Sequence, residues 1–356
     1  MLNILSFIGG LALLVAGAEL LVKGASRLAI SLGLTPLVVG LTVVAFGTSA
    51  PEIAVSVGAV AGGQTDIAIG NVIGSNILNV LFILGLSALI MPLAVDRQLI
   101  RQEVPIMIGV TGLLLVMLRD RVLAMGEAGL LLGLLVAYTA FVVIQSRRTL
   151  RAGAAADEPA PAADWASGRL VQAGLILGGL VGLVIGAQLV VSAAVSFARA
   201  LGVSDLVVAL TIVAAGTSLP EIATSLTAAL KGNRDMAVGN VVGSNLFNIL
   251  GCLGIAGLVA GPAGLTVAPS VMTFDAWVMM GAAVACLPIF LTGCRIARWE
   301  GAIFLAYYVF YVGYLVLAAE DYHRLQGYTR AMLLFVMPLT VLTALAIWLR
   351  PKPQPR

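Results

Sequence analysis

The sequence predicts an all-α polytopic membrane protein: two inverted five-helix repeats forming a core of ten spans, plus one extra C-terminal span. Three observations carry this expectation. Apolar residues make up 60% of the chain and charged residues 10%, a balance typical of membrane proteins rather than soluble domains. Apolar runs of about 18 residues or more recur along almost its whole length, each able to cross a hydrocarbon core of about 30 Å. The segment Leu41–Asn79 also recurs at Leu210–Asn248, with about 23 of roughly 40 positions identical and no gap.

In chain order the patterning predicts helices at residues 3–29, 34–61, 66–91, 103–118, 122–145, 168–198, 203–230, 236–260, 270–292, 300–318 and 331–349. The first has no Lys or Arg ahead of its apolar run and continues through Glu19, so it reads as a membrane helix rather than a cleaved signal. The second and seventh each carry a Pro one residue before a Glu, which predicts a break within the span. The third and eighth carry glycines at four-residue spacing (Gly70 and Gly74, Gly239 and Gly243), which suits close packing against a neighbour. Residues 147–167 are Ala/Pro-rich, charged and aperiodic, and read as a cytoplasmic linker. It joins a first repeat at 1–146 to a second at 168–318 and is too short to hold a folded soluble domain. The span at 331–349 is an addition to the five-plus-five plan.

With the amino terminus outside and the carboxyl terminus cytoplasmic, 15 of the 20 Lys and Arg residues fall on the cytoplasmic side, as expected for a cell-membrane protein. Five spans separate corresponding helices, and five is odd, so the second copy runs through the bilayer inverted. The net charge of +3, without a basic stripe, gives no reason to expect a nucleic-acid partner. No obligate protein partner is evident; the lipid bilayer is the expected surrounding. The three cysteines lack metal-ligand spacing and read as buried small hydrophobes. The single histidine, His323, lies in a predicted external loop, which excludes a histidine proton relay within the spans.

Glu52 and Glu221 are the informative residues. A carboxylate at membrane depth costs at least about 2.5–3.5 kcal/mol, so two in matching places need a compensating ligand, and a cation is the simplest. Ala45, Thr48, Ser49, Glu52 and Ser56 share one helical face. Pro51 cannot donate a backbone hydrogen bond, which frees carbonyls near Ala45–Thr48 beside Glu52. Ala214, Gly216, Thr217, Ser218, Pro220 and Glu221 repeat the arrangement. Ser75 and Asn79 share a face of the third helix, as do Ser244 and Asn248 in the eighth. Carboxylate, hydroxyl and bare carbonyl oxygens suit hard cations, with Ca²⁺ taking about 6–8 of them. No His or Cys joins the set, which argues against zinc or copper. Asn71, Asn76, Asn240 and Asn245 either belong to this polar layer or only bond backbone between helices. Glu19 is expected to partner Lys23, four residues on.

At G-T-S-x-P-E (Gly47–Glu52, Gly216–Glu221) and G-S-N-x-x-N (Gly74–Asn79, Gly243–Asn248), the chain resembles the cation/Ca²⁺ exchanger superfamily, above all its prokaryotic Na⁺/Ca²⁺ exchangers. The resemblance covers both duplicated motifs and the ten-helix frame. It implies four cation sites at mid-membrane, with Na⁺ and Ca²⁺ as transported ligands and no cofactor. Glu52 and Glu221 would be the shared carboxylates, with Thr48 and Thr217 contributing backbone carbonyls. Ser49, Ser75, Ser218 and Ser244, with the carbonyls of Ala45 and Ala214, would line flanking Na⁺ sites, and Asn79 would face the central position. Asn248 departs from members that carry aspartate there, which removes a third negative charge. Gly47-Thr48-Ser49 and Gly216-Thr217-Ser218 differ from the G-N-x-P-E of the H⁺/Ca²⁺ branch.

The resulting expectation is a secondary active antiporter that exchanges Na⁺ for Ca²⁺ by alternating access and carries net charge. A Ca²⁺/H⁺ or K⁺-dependent exchanger of the same fold is the alternative. Two other classes fit less well. A membrane hydrolase with Ser49 or Ser218 as nucleophile lacks an activating base within the spans. For a non-transporting scaffold, the paired carboxylates would be pure cost.

Overall fold

The computed structural model describes residues 2–151, 168–201, 212, 214–291 and 293–320. The predicted span at 331–349, most of the linker and the start of the helix predicted at 203–230 lie outside the described residues. The described helices are α1 (Leu2–Leu32), α2 (Pro36–Thr48), α3 (Ala50–Ala61), α4 (Thr65–Ile90), α5 (Leu99–Asp120), α6 (Met125–Arg151), α7 (Arg169–Ala200), α8 (Leu219–Leu230), α9 (Arg234–Ala263), α10 (Val271–Leu291) and α11 (Arg298–Glu320). Among the described residues eight helices are long and apolar enough to cross a membrane, and α2 with α3 makes a ninth span bent by 40°. The chain is a helical, multi-pass membrane protein. Helix α6 runs on to Arg151, so the first residues of the predicted linker (from Arg147) are helical rather than loop.

Local chemistry accounts for the broken span. The Thr35 hydroxyl accepts the Val38 N–H at 3.3 Å and Pro36 opens α2, a side-chain cap followed by a proline already set for helix. At Ser49 the backbone leaves helical geometry (φ −78°, ψ 1°), and Pro51 starts the next helix. Ser218 (φ −92°, ψ 9°) and Pro220 do the same at the start of α8. The two downstream helices end alike. Gly63 and Gly232 take positive φ (75° and 84°), where a glycine has no steric penalty. The following N–H groups turn back to close each end, Gln64 to the Ala59 carbonyl at 2.8 Å and Asn233 to that of Ala228 at 2.9 Å.

Helices α4 and α9 form the centre, with 72% and 61% of their most apolar stretches buried, against 11% for α11. Each widens into a π-helical turn, Leu78–Leu84 in α4 and Phe247–Cys252 in α9. Such turns shift the register of side chains by one position and cluster at functional sites. Heptad reading of the sequence cannot detect them.

Glycines set the closest approaches. A Cβ on Gly17 would lie 2.8 Å from the Gly179 carbonyl oxygen, and one on Gly186 would lie 2.8 Å from that of Gly10. Helices α1 and α7 therefore touch backbone to backbone along a seven-residue glycine spacing. A Cβ on Gly243 would lie 2.7 Å from the Leu41 carbonyl, and one on Gly239 would lie 3.0 Å from that of Leu37, which brings α9 against α2 as expected. The equivalent neighbours of Gly70 and Gly74, residues 206 and 210, lie outside the described residues.

Two short antiparallel ladders tie the loops together. β1 (Leu93–Ala94) pairs with β4 (Arg295–Ile296), and β2 (Val122–Leu123) pairs with β3 (Leu265–Thr266). The ladders follow a swap of halves: β1 and β3 follow α4 and α9, and β2 and β4 follow α5 and α10. At two residues each, they are too short to leave an alternating pattern in the sequence.

Candidate cation site

The break at Ser49 makes Glu52 a first-turn residue of α3, and the break at Ser218 does the same for Glu221 in α8. A helix N-terminus favours negative charge, so each break holds a carboxylate at a membrane depth that would otherwise disfavour it. The end of α2 meets the same place with its last carbonyls, which favour positive charge. Glu52, Glu221, Thr48, Ser49, Ser218, Ser244 and Asn248 are fully buried, and Ser75 and Asn79 nearly so.

The two halves exchange hydroxyls. Ser218 Oγ donates to Glu52 Oε1 at 2.9 Å, and Ser49 Oγ donates to Glu221 Oε1 at 3.4 Å. Ser218 Oγ also lies 3.3 Å from Ser75 Oγ, whose own hydroxyl can donate to it. The Thr217 side chain faces Glu52 as well, and that of Thr48 faces Glu221. Thr48 Oγ1 lies 3.3 Å from Asn240 Oδ1 and 3.5 Å from Ser244 Oγ. Ser218 and Ser49 thus reach across from one half to the carboxylate of the other, which places both carboxylates at the junction of the halves.

A second exchange involves amides. Asn79 Nδ2 donates to Asn245 Oδ1 at 3.0 Å, and Asn248 Nδ2 donates to Asn76 Oδ1 at 3.1 Å. Outside these pairs, Asn71 Nδ2 donates to Ser56 Oγ at 3.1 Å and Asn240 Nδ2 to Ser225 Oγ at 2.9 Å. Every one of these contacts has its twin 169 positions on, the offset that takes Glu52 to Glu221. Asn76, Asn245, Asn71 and Asn240 thus bond side chains of this polar layer, and Asn76 and Asn71 also tie backbone, to the carbonyls of Asn245 and Glu52 at 3.3 Å each. Their recurrence in both copies of the motif is the sequence signal for that layer.

What remains is an unmatched set of acceptors. Glu52 Oε2, Glu221 Oε2, Asn79 Oδ1 and Asn248 Oδ1 are buried without a hydrogen-bond donor among the described residues. The amide nitrogens of both asparagines are spent on Asn245 and Asn76, so their oxygens are left for a ligand. A buried acceptor without a partner costs about 1–3 kcal/mol, more when charged. Four such oxygens in two matched pairs fit a hard cation. The Ala45 carbonyl already accepts the Ser49 N–H at 3.0 Å and the Thr48 hydroxyl at 3.4 Å, and keeps at most a share of its lone pairs for an ion. Ala214 opens a short helical turn, Ala214–Gly216, just ahead of Thr217 and Ser218.

Other acids in or beside the spans are built differently. Glu103 accepts from Gln98 Nε2 at 2.9 Å and from Tyr138 at 2.7 Å, and Asp275 accepts from Tyr311 at 2.9 Å. Glu127 and Glu300 cap their own helices by accepting the N–H groups of Ala124 and Ala297. These carboxylates have neutral donors of their own. Glu19 lies 3.3 Å from Lys231 at the end of α8, so its ion pair reaches beyond Lys23, on its own helix, into the second half.

Comparison with known proteins agrees with this geometry. The chain matches the sodium/calcium exchanger protein family over residues 2–144 and 171–317. It belongs to that family. The candidate antiporter CaxA of Alkalimonas amylolytica is 41% identical to this exchanger over 272 residues, covering 74% of the chain and 83% of the relative. The sodium/calcium exchanger MaX1 of Methanosarcina acetivorans is 41% identical over 134 residues, 38% of this chain and 37% of that protein. Structures of the sodium-calcium exchanger NCX_Mj superpose with a TM-score of 0.75 at 33% identity, covering 88% of this exchanger and 99% of theirs. The family is one of cation/Ca²⁺ exchangers, transporters rather than enzymes.

Proposed function

We propose that this protein exchanges Na⁺ for Ca²⁺ across the cell membrane, with both ions competing for the oxygens around Glu52 and Glu221. The observation that carries this reading is the set of four unmatched acceptors, two carboxylate and two amide, buried between the halves. With the backbone carbonyls of Thr48 and Thr217 they supply about six oxygens, the lower end of what Ca²⁺ takes. Two carboxylates balance one Ca²⁺ or two Na⁺, so occupancy by one ion excludes the other. A third Na⁺ on Ser49, Ser75, Ser218, Ser244 and the Ala45 and Ala214 carbonyls leaves one net charge moving per cycle. The membrane potential then acts with about 2.3 kcal/mol per charge per 100 mV.

The motion follows from the packing. Two inverted five-helix repeats, 1–146 and 168–318, supply α2–α4 and α8–α9 as the rigid site. Helices α1 and α7, joined through glycine backbones, slide over it as one unit and open it to either side. The amino terminus lies outside and the carboxyl terminus in the cytoplasm.

Reconstituted vesicles test the reading. Uptake of ⁴⁵Ca²⁺ is expected to follow an imposed Na⁺ gradient and to respond to voltage. Uptake that follows a pH gradient and ignores Na⁺ would replace it with Ca²⁺/H⁺ exchange; an absolute need for K⁺ would make it a K⁺-dependent exchanger.

A further inference from the structure

Away from the central site, a polar cavity of about 330 Å³ opens between the start of α5 and the last turns of α6. It is lined by Arg97, Gln98, Arg101, Gln102 and Gln145. We propose that it is a lipid site, which holds the phosphate of an anionic phospholipid.

The two arginines stand four residues apart on one helical face, at the entry to α5. Among the described residues no carboxylate lies within ion-pair distance of either. The nearby acids are already engaged. Asp96 accepts the Gln98 N–H at 2.6 Å, and both oxygens of Glu103 are taken by Gln98 and Tyr138. On the cavity wall Gln102 Oε1 accepts from Gln145 Nε2 at 2.9 Å. That contact leaves the Gln102 amide nitrogen as a donor beside two guanidinium groups. A pocket with amide donors and two arginines that form no ion pair among the described residues suits a phosphate, which arginine grips with paired N–H groups.

Position selects a lipid over a soluble anion. Both helices enter their apolar spans at this level. The α6 wall continues from Gln145 into exposed Ile144 and Phe141, 51% and 45% accessible, where an acyl chain can lie. A free phosphate gains nothing from that wall. Basic pockets between membrane helices are known to take acidic headgroups.

The test uses the full-length protein in detergent, with thermal unfolding and native mass spectrometry as readouts. Phosphatidylglycerol is expected to raise the unfolding temperature and to remain bound, whereas phosphatidylcholine and inorganic phosphate do neither. R97Q/R101Q is expected to bind phosphatidylglycerol at least about tenfold more weakly, as loss of charge-assisted hydrogen bonds implies. R101Q alone, a milder change should the double variant fold poorly, gives an intermediate loss. R97K/R101K keeps the charge and retains part of the affinity. Equal effects of the anionic and zwitterionic lipids, or undiminished binding by R97Q/R101Q, would overturn the proposal. An inorganic phosphate shift equal to the lipid's would overturn it as well, in favour of a soluble-anion site.

Discussion

Ser218 of the second half donates its hydroxyl to Glu52 of the first at 2.9 Å, while the mirror contact from Ser49 to Glu221 is 3.4 Å long. Each carboxylate is thus aimed by a residue from the other half, and the two are aimed with unequal strength. Ser218→Ala removes the shorter bond and strands a buried oxygen. Hydrogen bonds to charged groups contribute about 1.5–3 kcal/mol, so Ca²⁺ affinity should fall about tenfold or more. Ser49→Ala should cost less. Isothermal titration with Ca²⁺ ranks the two, and an equal loss in both would show that the length difference carries no energy.

The carboxylates themselves give a sharper contrast. Glu52→Gln and Glu221→Gln each remove one of two charges that a divalent ion needs, and Na⁺-driven Ca²⁺ uptake should fall below detection. Each change also removes a costly buried anion. The variants are therefore expected to unfold at the same or higher temperature than the parent in ion-free buffer, and to lose the stabilisation by added Ca²⁺ that ligand linkage gives the parent. Full flux in either variant would contradict the proposed site.

Backbone contact between α1 and α7 makes a third prediction. A Cβ at Gly179 would lie 2.6 Å from the Leu21 amide nitrogen, whereas one at Gly9 meets nothing within 4 Å. Gly179→Ala should force the two helices apart, at a cost of about 1–3 kcal/mol for overpacking. Gly9→Ala, on the same seam's open side, should leave both stability and flux near parental values. Thermal unfolding and vesicle uptake read the two effects separately. Loss of flux with unchanged stability would point to the sliding motion rather than to assembly.

Much of this was legible in the residues. Glu52 and Glu221 stand out because a carboxylate in an apolar run is costly and because each follows a proline. The break at Ser49 follows from the same proline. Less legible was what the side chains do across the halves. Asn76 and Asn245 sit next to the serines of G-S-N-x-x-N, and only the fold shows that they hold Asn248 and Asn79 by their amide nitrogens. The π turns at Leu78–Leu84 and Phe247–Cys252 change side-chain register without changing composition, so apolar periodicity passes over them. Glu19 illustrates a different limit. Lys23, four residues away, is its neighbour on the same helix, whereas nothing in the local spacing points to Lys231, which tertiary packing brings to 3.3 Å.

That last contact has no twin. The positions equivalent to Glu19 and Lys231 are Gln188 and Gly62, which cannot form an ion pair. If the two halves trade roles during transport, the conformation joined by Glu19 and Lys231 gains an interaction that its mirror lacks. Both groups are about half exposed, so the contribution is small, about 0–1 kcal/mol after solvent screening. Even so, about 1 kcal/mol shifts a two-state population roughly fivefold. Glu19→Gln should therefore change the half-saturating Ca²⁺ concentration at one membrane face in the opposite sense from the other, while the final Ca²⁺ gradient reached stays the same. The reversed pair, Glu19→Lys with Lys231→Glu, should restore the parental asymmetry, and raised salt should erase it in the parent. Equal shifts at both faces would mean that the ion pair steadies the fold without favouring either conformation.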